Sequence, residues 1–277
     1  MKHVHTLVSS LLSRQINVAL IGAGGTGSHM LRELATIHLT MLELGHPGGL
    51  HVTVYDLDRV SKTNIGRQDF FPADVGHSKA VILVNRCNLS WGTRWKAIEA
   101  YVTESTPLNQ DIVISCVDNR RARKGIIEAL SRSIVTNSAY YLDIGNKERD
   151  GQVILGQVMA PYLEKKEGVI RLPHSGELFP DIVDESLDDK DDTPSCSMAE
   201  ALTRQSLFIN RKMAVEAGNL LNNLLRDGSI SYHGAFVNSK TGNVIPLQID
   251  TDAWARMGYK VPAKKKPRSR KKVAVAA

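Results

Sequence analysis

The chain has 277 residues, 42% of them hydrophobic, which is enough to enclose one large α/β core or two small ones. Its net charge of +6 is smaller than the seven cations crowded between Lys264 and Lys272, so the body ahead of that basic tail is close to neutral. Cys87, Cys116 and Cys196, an odd number without CxxC spacing, argue against a disulfide framework and a Cys₄ zinc site. No apolar run approaches the roughly 18 residues of a membrane span and the N-terminus lacks a signal-peptide pattern, so a soluble, cytoplasmic protein with no membrane partner is expected.

Residues 1–15 read as a lead-in with one or two helical turns through Leu7, Leu11 and Leu12, and with His3 and His5 in a frayed terminus without a metal role. The run Ile16 to Ser28, INVALIGAGGTGS, then organises the chain. Val18 to Ile21 has the length and composition of a strand buried on both faces. Gly22, Gly24, Gly25 and Gly27 supply a turn where backbone approaches a phosphate closely, and the following helix points its free N–H groups and dipole at that anion. Taken alone the GxGxxG pattern is shared by NAD, FAD, ATP and S-adenosylmethionine proteins. An amphipathic helix over His29 to Leu44 is stopped by GHPGG, and β-branched His51 to Tyr55 forms a second strand. Strand, glycine loop, helix and strand make a Rossmann-type half.

The second strand ends in Asp56-Leu57-Asp58. An acid at this tip commonly holds ribose hydroxyls, which makes Asp56 the candidate, while Asp58 lies on the same face and reaches a cation near the phosphates. Arg67 and Lys79 follow closely. The two phosphates of a dinucleotide are largely served by a helix N-terminus, whereas a triphosphate calls for cationic side chains and Mg²⁺. The constellation favours ATP.

Four pieces occur in order: G-x-G-G-x-G-S from Gly22 to Ser28, D-x-D-x-V-S-x-x-N-x-x-R-Q from Asp56 to Gln68, D-x-G-x-x-K-A from Asp74 to Ala80, and D-N-x-x-A-R from Asp118 to Arg123. Together they resemble the adenylation domains of the ThiF, MoeB and ubiquitin-activating enzyme superfamily, across about two-thirds of the chain. One departure is that Ser61 precedes Asn64 by three places where many members have Ser-Asn adjacent. In GHPGGLHVTVYDLDRVSKTNIGRQ and in PSCS the chain is most similar to ThiF-family proteins of the bacterial PRTRC gene cassette.

The resemblance implies an α/β, Rossmann-like, mostly parallel sheet with flanking helices, extended by antiparallel strands. It assigns ATP to Gly22, Gly24, Gly25, Gly27, Asp56, Asp58, Asn64, Arg67, Gln68, Lys79 and Asp118, with Arg67 also catalytic and Mg²⁺ on Asp58 and Asp118. Two hard oxygen ligands suit Mg²⁺, and the alternative for Asp118 is that it only caps the next helix. No zinc is expected, because the paired CxxC motifs of simple bacterial members are absent. A homodimer is implied too, although Arg14 lies too near the first strand to serve as the arginine that dimeric relatives lend to a partner's site.

Cys116 sits in the apolar strand Asp111 to Val117 and Cys87 on a helix, so both read as core residues. Tyr141 to Gly145 and Val153 to Leu155 read as a strand and its following hairpin. Residues 161–195, with seven acids from Asp181 to Asp192, read as a long mobile loop. A helix is expected over Ala199 to Leu225, closed by Asp227-Gly228, with Cys196 just before its N-terminus, where a thiol pKa is lowered. By resemblance Cys196 is the thioester-forming nucleophile; the alternative is filler beside a capping Ser195 or Ser197. A final hairpin, Ile230 to Val237 and Val244 to Leu247, closes the sheet ahead of Trp254 and Tyr259.

The organisation read from this is an adenylation domain over 1–262, with a nucleotide-binding half (1–157), an acidic crossover loop (158–196) and a C-terminal helix and hairpin (197–262), before a disordered basic tail (263–277). The expected activity is ATP-dependent adenylation of the C-terminal glycine carboxylate of a ubiquitin-like protein, then transfer to Cys196 and on to a ubiquitin-conjugating-like protein. The tail is either solvated or touches nucleic acid or an acidic partner without sequence preference. Rival readings are a catalytically idle nucleotide-binding scaffold and a NAD-dependent oxidoreductase; the latter leaves Asp58, Arg67, Lys79 and Asp118 without work.

Overall fold

The computed structural model describes residues 3–134, 138–160, 171–188 and 206–260. Cys196 and the basic tail lie outside them. A short strand β1 (His5–Thr6) is followed by β2 (Ile16–Ile21), α1 (Gly25–Glu43), β3 (Leu50–Tyr55), α2 (Lys79–Trp91) and β4 (Lys96–Ile98). Next come β5 (Ile112–Ser115), α3 (Arg120–Ser133), β6 (Ser138–Asn146), β7 (Asp150–Met159) and α4 (Ser175–Leu178). The C-terminal part adds α5 (Ile209–Asp227), β8 (Ser229–Ile230), β9 (Tyr232–Asn238), β10 (Val244–Gln248) and α6 (Thr251–Arg256).

Eight strands form one sheet in the order β10-β9-β7-β6-β5-β2-β3-β4, parallel from β6 to β4 and antiparallel from β6 to β10. Central β2 pairs in parallel with β3 on one side and β5 on the other, which is why its run is apolar on both faces. Its period of two sends Val18 and Leu20 into a core shared with α1, α2 and α5, and Ala19 and Ile21 into one shared with α3. The chain runs from β2 outward to β4, then returns to β5 on the opposite side. Strand order reverses between β2 and β5, and in open α/β sheets the crevice beyond the strand ends at that point is where ligands bind. The α/β architecture and the closing hairpin are those the sequence implies. No described helix is long and apolar enough to cross a membrane.

Three local expectations are corrected. His5 is not in a frayed end: β1 pairs antiparallel with β8, and the buried His5 ring hydrogen-bonds Tyr140 Oη at 2.9 Å. The described part of the acidic stretch is not a structureless loop, because α4 is followed by 3₁₀ turns at Pro180–Val183 and Glu185–Leu187. Its charge is met by the basic face of α3, with Lys124 on Glu185 at 2.7 Å and Arg120 on Asp188 at 3.3 Å. The helix expected from Ala199 to Leu225 is not continuous: residues 199–205 lie outside the described residues, Ser206 to Phe208 are not helical, and α5 begins at Ile209. Ser206 N is spent on Glu148 O at 2.9 Å, which ties this stretch to the turn between β6 and β7, a restraint that apolar periodicity does not reveal.

Behind the antiparallel strands, His233 is fully buried between Leu155 O, 2.8 Å from Nδ1, and Trp254, whose indole N–H donates to Nε2 at 2.9 Å. Burial pushes both His233 and His5 down to about 4. Their unfolded-state value is 6.5, so only the unfolded chain takes up these protons between pH 6.5 and 4. Stability is therefore full above pH 6.5 and falls as the pH drops towards 4, by at most about 3 kcal/mol per histidine. Denaturant titrations across this range should show that loss, and His5→Gln should flatten the slope.

Candidate active site

A cleft of 920 Å³ opens at the reversal point. The glycine loop forms its floor. Gly22 takes a left-handed φ of +88°, which turns the chain off β2, and a Cβ there would meet Cys116 O at 2.9 Å. Gly24 precedes α1, receives no side-chain cap from the described residues, and a Cβ on it would point into open space. The unpaired N–H groups and positive dipole end of α1 thus face the cleft. Gly27 does not line it. A Cβ on Gly27 would lie 1.8 Å from Gly22 O, so this glycine lets helix and turn pack together.

Asp56 holds this loop to the tip of β3. Its Oδ2 accepts from Ala23 N at 2.6 Å and its Oδ1 from Asp58 N at 2.8 Å. Burial raises its pKa while those N–H groups oppose the shift. Asp58 behaves differently. Burial alone would raise it, but hydrogen bonds from Lys79 Nζ at 2.9 Å and Tyr101 Oη at 2.7 Å outweigh that and hold it below the usual carboxylate range. The bond to Asp58 in turn pushes the Tyr101 phenol up to about 12.

Asn64 and Gln68 sit buried at the cleft wall. Asn64 Oδ1 accepts from Ser61 N at 2.8 Å across a 3₁₀ turn, so the three-residue spacing of Ser61 and Asn64 is the spacing of a capping turn. Gln68 Oε1 has no hydrogen-bond partner among the described residues. Arg67 Nε donates to Thr63 O at 3.3 Å; burial lowers its guanidinium pKa and the charge of Asp118 opposes this. Asp118 is exposed at the mouth. It is not the cap of α3, since Asn119 Oδ1 accepts from Ala122 N at 2.8 Å in that role.

Every nucleotide-site residue expected from the sequence except Gly27 therefore lines one cleft. Several others there were given no role by the motifs. Thr26 Oγ1 donates to Asn146 Oδ1 at 3.0 Å and to Asn210 Oδ1 at 3.3 Å, joining α1, β6 and α5. Buried Arg123 pairs with Asp143 at 2.8 Å and holds Val117 O at 3.1 Å, bracing the strand end before Asp118. The closing arginine of D-N-x-x-A-R is the sequence signal for Arg123, and a lone asparagine inside an apolar helix face, as at Ile209-Asn210, is the signal for Asn210. Cys87 is buried, with its thiol pushed up to about 11, and burial also raises that of Cys116, so neither favours a thiolate.

Among the described residues no group of three metal-ligating side chains exists. Two exposed carboxylates, Asp58 and Asp118, do face the same cleft, and Asp58 is already shared with Lys79 and Tyr101. That donor set fits a hard divalent cation that keeps water and takes further oxygens from a phosphate ligand.

A doubly wound sheet with a glycine loop and paired acids at its reversal point defines the class: α/β proteins of the Rossmann-like group. The ThiF family model matches residues 10–244, and the chain belongs to the ThiF family. Among solved structures, it is similar to E. coli MccB with ATP, at 16% identity and TM-score 0.55, covering 84% of this chain and 64% of that one. It is also similar to PaaA, at 14% identity and TM-score 0.57, with the same coverage. The chain thus spans less than two-thirds of those proteins. The search of curated proteins returns no match.

The two inner glycines should respond differently to alanine. Gly27→Ala meets backbone that cannot yield and should destabilise the fold by about 3 kcal/mol or more in denaturant titration. Gly24→Ala adds a methyl to open cleft; it should melt near wild type yet weaken nucleotide binding about tenfold by calorimetry.

Proposed function

We propose that the protein is an ATP-dependent adenylating enzyme, with residues 1–262 as its adenylation domain. The observation that carries this is the convergence of the α1 N-terminus, Arg67, Lys79 and the acids Asp58 and Asp118 on one cleft. The similar fold of MccB, in a structure with ATP, supports the choice of nucleotide. Asp56 organises the loop and faces the ribose. Arg67, Lys79 and the free N–H groups of α1 orient the triphosphate, and Asn64 and Gln68 complete the wall. Mg²⁺ arriving with the nucleotide would be held by Asp58 and Asp118 and supplies further neutralisation of the phosphate charge.

The substrate in this reading is a carboxylate, specifically the C-terminal glycine of a ubiquitin-like protein. One carboxylate oxygen attacks the α-phosphorus, the bond to the β-phosphate oxygen breaks, and pyrophosphate leaves with those electrons. Cys196, outside the described residues, then attacks the acyl carbon as thiolate and releases AMP. A ubiquitin-conjugating-like acceptor, a homodimeric cytoplasmic enzyme and a place among PRTRC-type ThiF proteins belong to the same reading, which rests there on the sequence motifs.

ATP–pyrophosphate exchange with a candidate ubiquitin-like protein tests this. Asp118→Ala should lower exchange by about 100-fold or more, through loss of a charge stabiliser. Cys196→Ser should keep exchange and lose a reductant-sensitive protein adduct. Wild-type protein that binds ATP without exchange would refute the adenylation step, and an adduct surviving in Cys196→Ser would refute the thioester assignment.

A further inference from the structure

Asn210 is an amide only 2% exposed, in the first turn of α5, and it meets three separate parts of the cleft. Its Oδ1 accepts from Thr26 Oγ1 and from Asn146 Nδ2, both at 3.3 Å. Its Nδ2 donates to the main-chain oxygen of Arg67 at 3.4 Å. It also packs on the glycine loop so closely that a Cβ on Gly25 would fall 2.7 Å from Asn210 Oδ1. A buried amide costs free energy unless its partners are satisfied, so a polar side chain here fixes the relative placement of the groups it joins. Those groups are the start of α1 and the segment carrying Arg67.

We propose that Asn210 is a positioning residue of the cleft, locking the Arg67 backbone to the glycine loop so that Arg67 and the α1 N-terminus address the same phosphates. This rests on the ATP reading above. Glycine at position 25 belongs to the same device, since any side chain there would displace the amide. The side chain acts through Arg67 and touches no reacting atom itself.

A double-mutant cycle separates positioning from general support of the fold. Asn210→Ala and Arg67→Ala, singly and together, are compared by ATP–pyrophosphate exchange and by calorimetric affinity for α,β-methylene ATP. Asn210→Ala should lose about tenfold, and the double variant should be no worse than Arg67→Ala. Losses that simply multiply overturn the proposal.

Asn210→Asp keeps the shape and gives a second readout. Its neutral carboxyl can donate to Arg67 O, and its ionised form cannot. Affinity relative to wild type should therefore be near unity at low pH and fall as the pH rises through the new carboxyl's pKa, which burial places above the usual 3.9 or so. A ratio independent of pH overturns the proposal even if Asn210→Ala folds poorly. Wild type that binds the analogue without exchange refutes adenylation alone, and the affinity cycle then decides Asn210; wild type that binds no nucleotide overturns both.

Discussion

The carboxylate of Asp56 is the joint on which the cleft depends. One oxygen holds Ala23 N in the middle of the glycine loop and the other holds Asp58 N at the tip of β3. Two neighbouring parallel strands are thereby fastened at the ends where the ligand crevice opens, and the loop keeps its shape without a side-chain cap on α1. That leaves the helix N-terminus available to an anion, which a capping Ser or Asp would have partly satisfied. Gly27 serves the same end by letting the helix approach the turn to within backbone contact.

Around this joint, charge is arranged in pairs at different depths. Lys79 is nearly buried and Asp58 half-exposed. Buried Arg123 and Asp143 form an ion pair beneath the mouth, a geometry in which deleting either partner strands a charge. Asp58 and Asp118 are both exposed at the cleft, and Asp58 is the one engaged by Lys79 and Tyr101.

The nucleotide half was legible because its signals are local. The glycine run, the DxD tip and the Lys79 helix start are contiguous in sequence, and secondary structure alone carries them to the same end of a parallel sheet. The acidic stretch was misread because periodicity counts its charges and overlooks their partners. Lys124 and Arg120 lie 61 and 68 positions upstream of Glu185 and Asp188. His5 looked like a terminal residue until β8, over two hundred positions away, supplied its pairing strand.

The sequence by itself determined the class of fold, the ThiF-type motif order and the motif residues that line the cleft, because each motif brings its own strand tip or helix start with it. Only the tertiary structure decided that Asp56 fastens the glycine loop, that Asn119 and not Asp118 caps α3, and that Asn210 joins α5 to Thr26 and to the Arg67 backbone. Those outcomes rest on hydrogen bonds between residues as much as 184 positions apart, whose partners are chosen by packing and burial and leave no periodic trace in the chain.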